Sequence, residues 1–204
     1  MATYLEVTIS WLFKNFRGRD AKLFVKNPAF NSHPTPTIPI TSPDCGATDA
    51  QLGVEYTHDG AGKFPELSWD VPEELQGKVK EWLLVSEDPD APLPTPIAHG
   101  IYGGILPTKA SVLASDFQIA DESKALLKGG FHYGVTRRGT PYIPPRPLMN
   151  HGVHRYFFFI IGLNDTLDEQ LLEGKATREQ IAEAIQGKVI GWGQWVGSCE
   201  RVWK

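Results

Sequence analysis

"KEWLLVSEDPDAPLPTPIAHG", residues 80 to 100, runs from an unbroken apolar stretch into two aspartates, four prolines and a histidine. "KEWLLVSE" has the length and content of a buried β-strand, so Asp88 and Asp90 stand just past its end, where loops commonly carry binding groups. Pro89 fixes its own φ and drives Asp88 into extended backbone, which sets both carboxylates on a stiff segment. Aspartate beside proline also commonly accepts backbone N–H groups in a turn, and that reading stands beside the functional one. Two carboxylates facing one cavity would repel, so one would stay protonated or a histidine or cation would be needed nearby. His99 closes the stretch, and "NHGVHRY" adds His151, His154 and Arg155 before the most apolar strand of the chain. Such a set could donate to an anion or shuttle a proton.

Outward from this segment the pattern is one of strands and turns. "LGVEYTHDGAG", "PELSWD", "AHGIYGGIL", "FHYGVTRRG" and "HRYFFFIIGL" read as strands, and "KVIGWGQWVGSCERVW" as a final β stretch. The 16 prolines and 20 glycines among 204 residues favour turns over long helices, and the length suits one core. A helix is expected in "TREQIAEAIQG", with Thr177 as N-cap, Gln180 three residues on and Gly187 as stop. Leu5, Ile9, Leu12, Phe13 and Phe16 fall at helical spacing and predict an amphipathic helix over residues 4 to 17. Its plain role is packing on the domain. Trp11 and the phenylalanines near Lys14, Arg17 and Arg19 suit a peripheral membrane contact instead. Residues 27 to 48, rich in Pro and Thr, read as an extended wrapping arm. The expected architecture is an antiparallel β-sandwich with peripheral helices.

Composition excludes several classes. A formal charge of -4 without a Lys/Arg cluster gives no field for nucleic acid. The two cysteines, Cys45 and Cys199, form no disulfide framework or zinc spacing, and both are expected as reduced thiols in a cytoplasmic protein. The nucleophile elbow, the phosphate loop and the H-E-x-x-H helix are all missing from the sequence, and neither a metal nor a cofactor is expected.

"DPDAP" at 88 to 92, His99, and "YIPPRPLMNHGVHRYFF" at 142 to 158 together resemble the phosphatidylethanolamine-binding protein family, which includes Raf kinase inhibitor protein. "SPDCG" at 42 to 46, "YTHDGAGKFPELSW" at 56 to 69 and the closing "GSCER" are similar to further stretches of that family. The resemblance spans about residues 42 to 201. It divides the chain into an N-terminal helix and arm, 1 to 41, and a sandwich domain, 42 to 204. It implies an end pocket for a small anion or phospholipid headgroup, lined by Asp88, Asp90, His99, Tyr142, Pro145 and His154, with the carboxylates orienting histidines that donate N–H to the anion. It also implies a protein partner such as a protease or kinase. Relatives in fungal secondary metabolism suggest the alternative of an enzyme or accessory protein acting on carboxylate or anhydride intermediates in a dimerising reaction. His99, His154 and Asp90 would then carry acid and base roles. Gly100 stands where the family often has Trp after the histidine, which predicts a wider pocket.

Overall fold

The computed structural model describes residues 2 to 203. In chain order the strands are β1 Ile40–Thr41, β2 Ala50–Gln51, β3 Leu67–Trp69, β4 Glu81–Asp88, β5 Ile97–Ile105, β6 Ser111–Val112, β7 Ile119–Asp121, β8 Leu126–Leu127, β9 His132–Tyr133, β10 His154–Leu163 and β11 Val189–Cys199. The helices are α1 Ala2–Phe13, α2 Glu169–Glu173 and α3 Arg178–Ala184.

Eight strands form one sheet in the order β2-β11-β10-β4-β5-β9-β8-β7, and β1-β3-β6 form a second. Pairing is antiparallel except for β2 on β11. The protein is a mainly β sandwich whose centre is β11, β10, β4 and β5. Side chains alternate across these strands. Trp82, Leu84, Phe158, Ile160 and Trp195 meet Leu67, Trp69 and Val112 between the sheets. Leu83, Val85, Phe157, Phe159 and Ile161 point the other way, onto Phe24, Phe30 and the inner faces of α2 and α3. Because both faces of the central strands are buried, β4 and β10 read as continuous apolar runs rather than alternating ones.

Helix α3 starts as its sequence dictates: Gln180 N donates to Thr177 Oγ1 at 3.2 Å, and Thr177 N to Gln180 Oε1 at 2.9 Å. Two expectations are corrected. "LGVEYTHDGAG" is not a strand, because residues Val54–Tyr56 close into a 3-10 turn and only Ala50–Gln51 pair. The first helix stops at Phe13, and polar groups help to seat it. Glu6 accepts from Arg201 Nη1 at 2.7 Å and from Met149 N at 3.1 Å, while Leu5, Trp11, Leu12 and Phe16 are all more than half exposed. Short 3-10 turns between residues 20 and 30 follow the helix and pack on the sheet. Phe24 and Phe30 are fully buried, and Phe24 N donates to the buried Glu87 carboxylate at 2.7 Å.

Candidate functional site

The end of β4, the start of β5, the loop through residues 143 to 148 and the start of β10 enclose a cavity of about 380 Å³. Asp88, His99, His154 and Tyr156 line its interior, and the exposed Arg137, Arg138 and Arg146 line its rim.

Local structure explains each placement. Asp88 Oδ1 accepts from Asp90 N at 2.7 Å and Ala91 N at 3.1 Å, so the Asp–Pro turn is closed by its own first residue. The other oxygen, Oδ2, lies 2.8 Å from His154 Nδ1. One carboxylate thus serves both the turn and the cavity. His99 occupies an irregularity in β5: Ser86 pairs with Gly100 and Glu87 with Ala98, leaving His99 as the extra residue of a bulge, a device that re-aims a side chain. Its backbone carbonyl accepts from Ile143 N at 2.8 Å, and its Nδ1 lies 2.5 Å from Ile143 O.

A carbonyl oxygen carries no hydrogen, so His99 Nδ1 is the N–H and, in the neutral ring, Nε2 holds a lone pair. Burial, opposed in part by the Asp88 charge, pulls the His99 pKa below the usual imidazole value and favours that neutral form. His99 Nε2 is buried with no hydrogen-bond partner among the described residues, and the same holds for Tyr156 Oη. The two rings meet edge-on with centroids 5.0 Å apart. Burial raises the Tyr156 pKa well above the ordinary phenol value, which keeps its hydroxyl a donor. The unpartnered nitrogen of His99 is therefore an acceptor where the resemblance implied a donor.

Three residues expected at the pocket lie outside the cavity wall. Asp90 is saturated: Oδ1 accepts from Gly18 N and Arg155 Nη2, and Oδ2 from Arg155 N and Nε, all at 2.8 to 3.1 Å. Tyr142 turns toward Phe64, centroids 4.9 Å apart, in the core between the sheets. Pro145 is buried with its carbonyl on His58 N at 2.9 Å, and its neighbours Ile143 and Pro144 form the wall. The wider pocket expected from Gly100 is not found there. A Cβ at Gly100 would collide with the Tyr102 hydroxyl, so that space belongs to Tyr102, which donates to Pro141 O at 2.8 Å.

Tyr156 had a legible signal: it follows His154 by two positions on a strand and so shares its face. The rim arginines had none, because 137, 138 and 146 lie in irregular loops. Among the described residues no group of three or more His, Cys, Asp or Glu side chains is arranged to hold a metal ion.

The chain is a mainly β sandwich with a small His/Asp cavity at one end. The phosphatidylethanolamine-binding protein family model matches residues 42–200, and the chain belongs to that family. It is 45% identical over 203 residues to "Phomoidride biosynthesis cluster protein B" of Talaromyces stipitatus, covering 98% of this chain and 82% of the relative. A protein of the same name from Fungal sp. is 43% identical over 201 residues, covering 98% and 95%. Among solved structures, a putative phosphatidylethanolamine-binding protein homolog from Chlamydia trachomatis superposes with a TM-score of 0.65 at 25% identity, covering 82% of this chain and 99% of that one.

Proposed function

We propose that this protein binds an anionic acid or anhydride intermediate of fungal secondary metabolism and moves a proton on it. The name carried by its 45% and 43% identical relatives supports the setting. The observation that carries the chemistry is the pair of buried, unpartnered atoms of opposite polarity, His99 Nε2 and Tyr156 Oη, on two residues that line one cavity. His99 Nε2 is the base: it takes a proton from a methyl carbon joined through a C=C to a carbonyl, and the electron pair moves through that double bond into the carbonyl oxygen. Tyr156 O–H donates to that oxygen as charge develops on it. Arg137, Arg138 and Arg146 at the rim hold the remaining carboxylate charge. The resulting carbanion equivalent is the nucleophile that a dimerising addition requires. Asp90 takes no acid or base role in this reading, since each of its oxygens is already committed to two donors.

The test is exchange of carbon-bound hydrogen in methylmaleate and its anhydride, followed by NMR in deuterium oxide. The wild type should exchange above buffer. His99→Ala should lose about 10²–10⁴-fold, the usual worth of a positioned base. Tyr156→Phe should lose roughly 10²-fold, the size of one oxyanion donor. Binding without exchange would reduce the protein to an anion-binding module, and neither would overturn the reading.

A second reading concerns location. The outward face of α1 presents Leu5, Trp11 and Leu12 to solvent, with Lys14, Phe16 and Arg17 beyond its end. That face suits the interfacial plane of an anionic membrane, where aromatic and apolar groups enter and cations meet headgroups. Flotation with vesicles containing phosphatidylserine should be lost in a Trp11→Ser, Leu12→Ser double variant. Equal flotation of both proteins sinks this reading.

A further inference from the structure

A chain of three hydrogen bonds runs from the cavity to the first helix. Asp88 Oδ2 lies 2.8 Å from His154 Nδ1, His154 Nε2 lies 2.8 Å from His151 Nδ1, and His151 Nε2 lies 3.0 Å from the carbonyl oxygen of Phe13. All three residues are at most 3% exposed. His151 is held by the turn that carries it. Asn150 adopts a left-handed φ of 60°, which asparagine tolerates, and His151 N returns to Leu148 O at 3.1 Å. Gly152 follows at a φ of 93°.

Hydrogen counting constrains this chain. Its three contacts need three hydrogens between them, whereas a carboxylate and two neutral imidazoles carry only two. The Phe13 carbonyl has none to give, so His151 Nε2 must be an N–H. With His151 neutral, its Nδ1 accepts and His154 Nε2 donates, and the remaining hydrogen lies between His154 Nδ1 and Asp88. The groups facing His151 agree with a neutral ring: burial and the neighbouring His154 and Arg17 lower its pKa, outweighing Phe13 O and Asp88, which raise it. Arg17 also donates to the His151 and Val153 carbonyls.

We propose that His151 is a positioning residue of the cavity: it fixes the hydrogen on His154 Nε2, so that His154 and Asp88 share a transferable proton, and it makes the seating of α1 a condition of that state. The two cavity histidines then have opposite roles, His99 offering a lone pair and His154 with Asp88 holding a proton to return. The assignment of these roles rests on the acid and base reading above, while the hydrogen count does not. Residues 2 to 13 lie outside the family-matched segment, so the helix adds to this site a contact that the domain alone lacks.

The experiment is ring-nitrogen NMR of histidine-labelled protein at pH 7, without substrate. In the wild type His154 should show hydrogens on both ring nitrogens, or on Nε2 with a strongly hydrogen-bonded Nδ1, and His151 on Nε2 alone. His151→Gln can accept from His154 with its carbonyl and donate to Phe13 O with its amide, and should preserve the His154 pattern. His151→Phe keeps the ring volume but neither function. There His154 should lose the Nε2 hydrogen signature, and amide exchange across residues 4 to 13 should quicken about fivefold, the effect of one hydrogen bond. A role in packing alone would reverse the order, with Phe preserving the pattern and Gln losing it, and would overturn the proposal. So would a bare His154 Nε2 in the wild type. Should His151→Phe fail to fold, the wild-type and Gln spectra still decide. Loss of the relay with proton exchange intact would overturn this inference alone, and an intact relay without exchange would overturn only the proposed chemistry.

Discussion

Asp88 and Asp90 leave the end of β4 separated by one proline, and their oxygens meet different partners. Asp88 spends one oxygen on its turn and the other on His154, while Asp90 spends both on Arg155 and Gly18. Arg155 in turn reaches Asp20 at 2.8 and 2.9 Å, so Asp90 ties the residues after α1 to the start of β10. Burial works against the Asp90 charge, but the Arg155 hydrogen bonds outweigh it and hold the carboxyl below its ordinary pKa. Replacing it weakens charge-assisted hydrogen bonds to the partly exposed Arg155, which keeps Asp20 as a partner, at a cost of about 1.5–3 kcal/mol. Asp90→Asn should lower the denaturant midpoint accordingly at an unchanged slope, with His99 ring signals little altered. The pair of aspartates was visible in the sequence. Which one would face the cavity was not, because Arg155 and Gly18 compete for Asp90 from far along the chain.

Two N-terminal elements show how differently adjacent segments contribute. The 3-10 turns after α1 place Phe24 on the sheet at 0% exposure, backed by Glu87 and by Arg178, whose Nε lies 2.5 Å from Glu87 Oε1. Helix α1 keeps Trp11 74% exposed. Phe24→Ala should therefore cost about 3–5 kcal/mol, the usual loss for a buried phenylalanine. Trp11→Ser should stay within about 0.5 kcal/mol, as for a surface position. Thermal or denaturant unfolding of the two variants checks both. Helical periodicity marked α1, yet the face it seats was chosen by Arg201 and His151, which the local pattern does not contain. In α3, by contrast, cap, apolar face and stop are all local, and the expected element formed.

For the whole molecule, burial of titratable groups sets how stability follows pH. His99 and His151 have lowered pKa values, both chiefly through burial. The unfolded chain takes up protons at these positions near pH 6.5 while the folded one resists, so their contribution is complete above that pH and declines below it. Asp90 adds stability that is complete above about pH 4 and is lost as pH falls through its lowered value. Glu81 and Glu87, raised by burial, act with the opposite sign. Comparing the wild type with His99→Gln isolates one histidine: between pH 6.5 and 5 the variant's stability should fall less steeply with acid. Equal slopes would show that His99 is not held neutral by the fold.

The sequence by itself determined the sandwich class, the central strands, the C-terminal helix and three of the polar residues that line the cavity, because strand propensity, caps and the Asp–Pro turn act over a few neighbouring residues. Tertiary structure alone decided what those residues do. It gave His99 a carbonyl on one nitrogen and left the other buried without a partner, turned Asp90 to Arg155, brought Tyr156 and the rim arginines to one cavity, and joined His154 through His151 to the first helix. A hydrogen-bond role depends on which atom stands opposite, and here the opposing atoms lie as far as 138 residues away in the chain.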